Sequence, residues 1–128
     1  MFPVEFHHSE CMKPKDALGK YGEELAARHL MVKGFVILER NWRCDLGEID
    51  LVAREASDLV VCEVKTRRSD AFGTPVEAVS ARKVRRMRTL ALRWLDERNV
   101  NPRDIRFDVV GIVQPLVGPP QITHLRGV

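Results

Sequence analysis

Apolar positions recur along the chain in two rhythms, and each change of rhythm marks an element. From Asp16 to about Val32, Leu18, Tyr21, Gly22, Leu25, Ala26, His29 and Leu30 share one broad stripe of a 3.6-residue repeat. The stripe predicts a helix with Asp16 as N-cap and Gly34 as its stop. Phe35 to Asn41 reads as a strand. Two runs with a period of two follow, Glu48 to Arg54 and Asp58 to Thr66, joined through Glu55-Ala56-Ser57 as a hairpin. After a loop from Arg67 to Pro75, helical spacing returns from about Val76 to Asn99, with Val76, Val79, Val84, Met87, Leu90, Ala91 and Trp94 on one arc. Pro102 breaks that helix, Ile105 to Val113 forms a β-branched strand, and Gln121 to Leu125 a short edge strand. Residues 1–14 show neither rhythm and read as a loose leader to a single domain over residues 15–128. The order predicts an α/β fold with an αβββαβ core, a mixed central sheet flanked by helices.

The hairpin carries the candidate chemistry. Alternation puts Glu48, Asp50 and Val52 on one face of its first strand and Ile49, Leu51 and Ala53 on the other. On the second strand Leu59, Val61, Glu63 and Lys65 share a face opposite Val60, Cys62 and Val64. A turn centred between Ala56 and Ser57 sets Asp50 directly across from Glu63 and Glu48 across from Lys65. Like charges so opposed destabilise a sheet unless a cation lies between them. Two carboxylates and a backbone carbonyl, that of Val64, make a hard oxygen site suited to Mg²⁺ or Mn²⁺, with Lys65 in reach. A solvated outer face with cross-strand ion pairs is the competing explanation. It predicts polar residues along the whole face, yet Val52, Leu59 and Val61 occupy the turn end and the other face is apolar throughout.

Charge sharpens this picture. Lys65 to Arg106 holds twelve Lys or Arg against five Asp or Glu, whereas the rest of the chain is net acidic. A basic middle on an acidic body fits a phosphate-facing surface or a solvated helix. Arg82, Arg86 and Arg93 form one ridge of the second helix, while Lys83 falls inside the apolar arc, where it either snorkels out or serves the site. Arg67 and Arg68, just past Lys65, are either phosphate contacts or surface arginines. Arg106 and Asp108 read as a salt bridge supporting the sheet, and His29 as a core histidine. The 128 residues, with 45% hydrophobic and 30% charged, suffice for a self-supporting core. Cys11, Cys44 and Cys62 form no CxxC pair, no apolar run approaches a membrane span, and the N-terminus has no apolar signal region, so the expected setting is the reduced cytoplasm.

Gly47-Glu48-Ile49-Asp50-Leu51-Val52-Ala53, followed by Cys62-Glu63-Val64-Lys65-Thr66-Arg67, resembles the YraN-type family of predicted endonucleases. That family belongs to the PD-(D/E)XK, restriction-endonuclease-like superfamily, which includes the archaeal Holliday junction resolvases. Tyr21 to Ala27, Asn41-Trp42-Arg43, Phe72-Gly73-Thr74-Pro75 with Lys83, and Arg106 to Val110 match further segments, so the resemblance runs from about residue 18 to 113. It implies a Mg²⁺-dependent hydrolysis of nucleic-acid phosphodiesters, with DNA as the first expected partner and a two-fold homodimer as the assembly. Asp50 and Glu63 would be the metal-binding carboxylates, Lys65 the catalytic lysine and Glu23 the first-helix acid. Arg67, Arg68, Arg82, Lys83, Arg86 and Arg93 would meet the nucleic acid. Val113, Leu116, Val117 and Ile122 would either supply apolar surface for that dimer or fold back over the chain's own sheet. Two other classes fit the residues: a non-catalytic nucleic-acid-binding module with this fold, and a protein-interaction domain in which Asp50, Glu63 and Lys65 only pair.

Overall fold

A computed structural model describes residues 14–71, 73 and 80–128 of the chain. The elements are α1 (Pro14–Val32), β1 (Val36–Cys44), β2 (Gly47–Glu55), β3 (Asp58–Arg67), α2 (Ala81–Arg98), β4 (Asp104–Val113) and β5 (Gln121–Leu125). The five strands form one sheet in the order β1-β2-β3-β4-β5, with β3 and β4 parallel and the other pairs antiparallel. The expected α/β architecture with a mixed sheet is thus the observed one. Residues 1–13 lie outside the described residues; Pro14, expected in the leader, instead opens α1, where its missing N–H costs nothing.

The two helices cover opposite faces of the sheet. Ala26, Ala27 and Leu30 of α1 pack with Leu51, Ala53, Val60, Cys62, Val110 and Ile112. Met87, Leu90, Ala91 and Trp94 of α2 pack with Val52, Leu59, Val61 and Phe107. Gly34 ends α1 with φ of 95°, and the Phe35 N–H returns to the Leu30 carbonyl at 3.0 Å, closing the turn as expected. Helix α2 starts at Ala81 rather than near Val76. Ser80 is extended (φ −91°, ψ 165°) and its hydroxyl accepts the Lys83 N–H, so this N-cap sets the start. Val76 and Val79 lie outside the described residues.

Asp108 is fully buried on β4 and is paired from three sides. Arg106 donates to both its oxygens at 2.9 and 3.0 Å, His124 Nε2 lies 2.8 Å away, and the Gly127 N–H donates at 3.0 Å. Burial alone would raise its pKa; these partners outweigh it and hold the carboxyl below its ordinary value. This cluster fastens β5 and the residues after it to β4, the supporting role expected of Arg106 and Asp108.

Close approach of α1 to β3 depends on Gly22. A Cβ there would lie 1.8 Å from Oγ1 and 2.8 Å from Cβ of Thr66. Gly22→Ala should therefore lower stability by ~1–3 kcal/mol in urea unfolding, as overpacking does. Thr66→Gly should recover most of that loss in the double variant. An additive double variant would show that the contact does not set the helix position.

Candidate active site at a fork in the sheet

Strands β2 and β3 pair in the expected register from Glu55↔Asp58 to Leu51↔Cys62, and there the ladder stops. One residue further on, Asp50 takes the place of a strand partner. Its Oδ2 accepts the Val64 N–H at 2.8 Å. Within a strand the N–H and C=O of one residue point to the same side, so the Val64 carbonyl also faces the side that β2 has left. The strands fork at this point, and Asp50 and Glu63 lie at the crotch.

The fork has a cause in β1. Asn41 adopts a left-handed conformation (φ 51°) between the Arg40↔Leu51 and Trp42↔Ile49 pairs. Leu51 packs on the α1 side of the sheet while Ile49 packs on the α2 side. Strict alternation, which places both on one face, fails at Asp50. Glu48 consequently does not lie across from Lys65; it pairs with β1 opposite Arg43, whose Nε donates to it at 2.9 Å.

Around the fork the charges are crowded. Asp50 is only 8% exposed. Burial first, then the Glu63 charge, with smaller pushes from Glu23 and Glu48, raises its pKa to about 7 against the opposing Val64 hydrogen bond. Glu63 is paired with Lys83 Nζ at 2.6 Å and Lys65 Nζ at 3.6 Å, both on Oε1. Hydrogen bonding to Lys83, then burial, lowers the Lys65 pKa. Glu23 comes in from α1, half-buried, its pKa raised by desolvation and by Glu48 and Glu63. With its amide nitrogen turned to that carboxylate, Asn41 donates to both Glu23 oxygens at 3.2 and 3.1 Å. Neighbouring Glu24 pairs with Arg28 and Arg40 and faces away.

Asp50, Glu63, Lys65 and Glu23 are thus brought together. Lys83 joins them, so it belongs to the fork and not to the arginine ridge. Arg82 and Arg86 are exposed on α2. Arg93 is exposed too but engaged, with Asp45 at 2.9 Å and Glu97 at 3.8 Å. Arg67 and Arg68 follow Lys65 at the end of β3, half-buried and exposed respectively. Trp42 is buried beside Arg98, so it packs; Phe72 is outside the described residues. Ile122 packs against the α1-side core, whereas Leu116 and Val117 are 87% and 90% exposed. Sequence reasoning misses Asn41 as a site residue, although asparagine is among the few residues suited to a left-handed backbone. An open cleft of about 750 Å³ between the end of α2 and the start of β4 contains none of these residues.

Residues 22–112 match an uncharacterised protein family, UPF0102. The chain belongs to that family. A UPF0102 protein of Nocardioides sp. is 60% identical over 114 residues, covering 89% of this chain and 92% of the relative. One of Frankia alni is 56% identical over 117 residues, covering 91% and 98%. Among solved structures, one described as "Structure of EndoMS-dsDNA2 complex" aligns with 91% of this chain and 52% of its own, at a TM-score of 0.39 and 19% identity. Neither the UPF0102 description nor the relatives' names state an activity. No helix among the described residues is long and apolar enough to cross a membrane.

The raised Asp50 pKa fixes a sign for stability. The folded chain keeps a proton at Asp50 that the unfolded chain releases near its ordinary pKa of 3.8. Stability from this group is therefore full below about pH 4 and is lost as pH rises towards about 7. Asp50→Asn, which retains an acceptor for Val64, should remove that slope. In EDTA it should exceed the wild type at pH 8 by on the order of 1–4 kcal/mol, and match it near pH 4. Equal slopes in both proteins would contradict the crowding.

Proposed function

We propose that this UPF0102 protein is a divalent-metal-dependent nuclease that hydrolyses nucleic-acid phosphodiester bonds, with DNA as its first substrate class. The observation that carries the reading is the pair of carboxylates, Asp50 and Glu63, at the open end of the β2–β3 ladder with Lys65 beside them. The donor set fits Mg²⁺ or Mn²⁺. Among the described residues no three His, Cys, Asp or Glu side chains are gathered as a ready cage. Two carboxylates and the Val64 carbonyl instead match Mg²⁺, which keeps several waters. Repulsion among Asp50, Glu63, Glu23 and Glu48 is the excess negative charge that such an ion would neutralise.

When bound, the ion supplies Lewis acidity and a water of lowered pKa. The chain's own residues supply the rest. Val64 N–H fixes the orientation of the Asp50 carboxylate, which spares reorganisation. Lys65, its pKa lowered by Lys83 and by burial, gives up its proton more readily than a solvated lysine and can take one from an attacking water. Glu23, fixed by Asn41, faces the same fork from α1, where its carboxylate would orient a water. The exposed Arg82, Arg85, Arg86 and Arg88 along the first turns of α2 favour backbone-directed binding without base readout. A two-fold pair of copies would present two such sites to two strands, with Leu116 and Val117 as the apolar surface available for that contact.

Labelled junction, flap, duplex and single-stranded substrates test the reaction. Cleavage of at least one is expected with Mg²⁺ and none with EDTA. Asp50→Asn and Glu63→Gln should abolish it with folding intact, and Lys65→Met should slow it roughly 10²–10⁴-fold. Cleavage that survives in the purified Asp50→Asn and Glu63→Gln proteins would overturn the assignment. Salt-dependent binding with no cleavage in any metal would instead favour the accessory nucleic-acid-binding module.

Binding has its own prediction. Arg82→Glu with Arg86→Glu should weaken affinity and reduce the log–log salt slope by roughly one for each phosphate no longer neutralised. Arg93→Glu, already neutralised locally by Asp45 and Glu97, should change the slope less. Anisotropy titrations at several salt concentrations measure both; an unchanged slope for the Arg82/Arg86 pair would move the binding face elsewhere.

A further inference from the structure

Lys83 stands in an electrostatically costly place. It lies in the first turn of α2, which contains no acidic residue, where the helix dipole disfavours cations. Arg82 precedes it, and Arg85 and Arg86 follow. Its side chain is about one-third exposed, yet it does not run out to solvent. It reaches the sheet and places Nζ 2.6 Å from Oε1 of Glu63, whose own side chain is 12% exposed. Lys65 Nζ meets the same oxygen at 3.6 Å. One carboxylate oxygen therefore faces two lysine nitrogens, and Lys83 is the nearer.

Resting on the divalent site proposed above, we infer that Lys83 is an exchangeable counter-ion. In the metal-free protein it neutralises Glu63. Once Glu63 is given over to a divalent cation, Lys83 is released towards a phosphate of the nucleic acid. In both states Glu63 and Lys83 each face a partner of opposite charge. A divalent ion on Glu63 takes up the carboxylate charge that holds Lys83 and repels the ammonium beside it, so the lysine contact loosens when Glu63 becomes a metal ligand. An ammonium thus released has a flexible four-carbon stem and sits beside the arginines of the same helix, where an anion is the complementary ligand. Coordination of the cation and grip on the substrate then become linked through one side chain.

Calorimetric titration with Mn²⁺, without nucleic acid, reads the exchange directly. Lys83→Met and Lys83→Gln should each bind Mn²⁺ about fivefold or more tighter than the wild type. Lys83→Arg should resemble the wild type, and Arg86→Gln, one turn from the fork, should change affinity by less than about twofold. A labelled DNA duplex should bind Lys83→Met more weakly than the wild type in Ca²⁺ and equally well in EDTA. Thermal midpoints report that the variants fold. Unchanged or weaker Mn²⁺ binding in both neutral variants overturns the exchange, as does an equal gain in Arg86→Gln, which would be a general field effect. Wild-type Mn²⁺ binding that does not depend on Asp50 and Glu63 would instead overturn the site on which the inference rests.

Discussion

The hydrogen bond from the Val64 N–H to the Asp50 carboxylate is the interaction on which the rest of this site depends. A strand that loses its neighbour leaves buried backbone donors without partners, at a cost of ~1–3 kcal/mol each. Here a side chain accepts the donor, and β2 can turn away from β3 while β3 continues along β4 to Arg67. The same bond drags a carboxylate into a buried position next to Glu63. The bond thus satisfies a buried backbone group but creates an unfavourable charge pair, and what remains is a shortage of positive charge at the fork.

The helices on both faces converge on the fork, α1 deepening that shortage with Glu23 and α2 relieving it with Lys83. Gly22 lets α1 come down onto Thr66, so that the next residue, Glu23, reaches the site while Glu24 stays outside with Arg28 and Arg40. On the other face Ser80 starts α2 where Lys83 meets Glu63, and Met87, Leu90, Ala91 and Trp94 bury the helix against the sheet. Further along β4 the Asp108 cluster is the opposite case. Its carboxylate is buried like that of Asp50 but meets Arg106, His124 and a backbone N–H, and its pKa falls where that of Asp50 rises. Satisfied charge holds the sheet together; the uncompensated charge at the fork is what the proposed cation would neutralise.

Much of this is legible in the chain. Turn placement at Ala56-Ser57 predicts the β2–β3 register, because a two-residue connection leaves no freedom to slip. The acid Glu23, and not Glu24, lies beside the apolar stripe of α1 and does reach the fork. Other features are hidden by physics that periodicity does not carry. Alternation assigns Ile49 to the α1 side, but the left-handed Asn41 opposite turns that stretch over, and a single positive φ leaves no trace in a hydrophobic pattern. Val76 and Val79 continue the apolar arc in sequence and place the start of α2 too early, whereas the Ser80 hydroxyl decides the boundary. Lys83 in the apolar arc is visible as an anomaly; only the geometry separates a snorkelling side chain from one bound to Glu63.

The most direct test of the account is an anomalous diffraction map from crystals soaked in Mn²⁺. One strong peak is expected in the fork, bonded to carboxylate oxygens of Asp50 and Glu63 and to the Val64 carbonyl, with Lys83 withdrawn from Glu63. Mn²⁺ that binds only elsewhere, while Lys83 and Lys65 stay on Glu63, would contradict it.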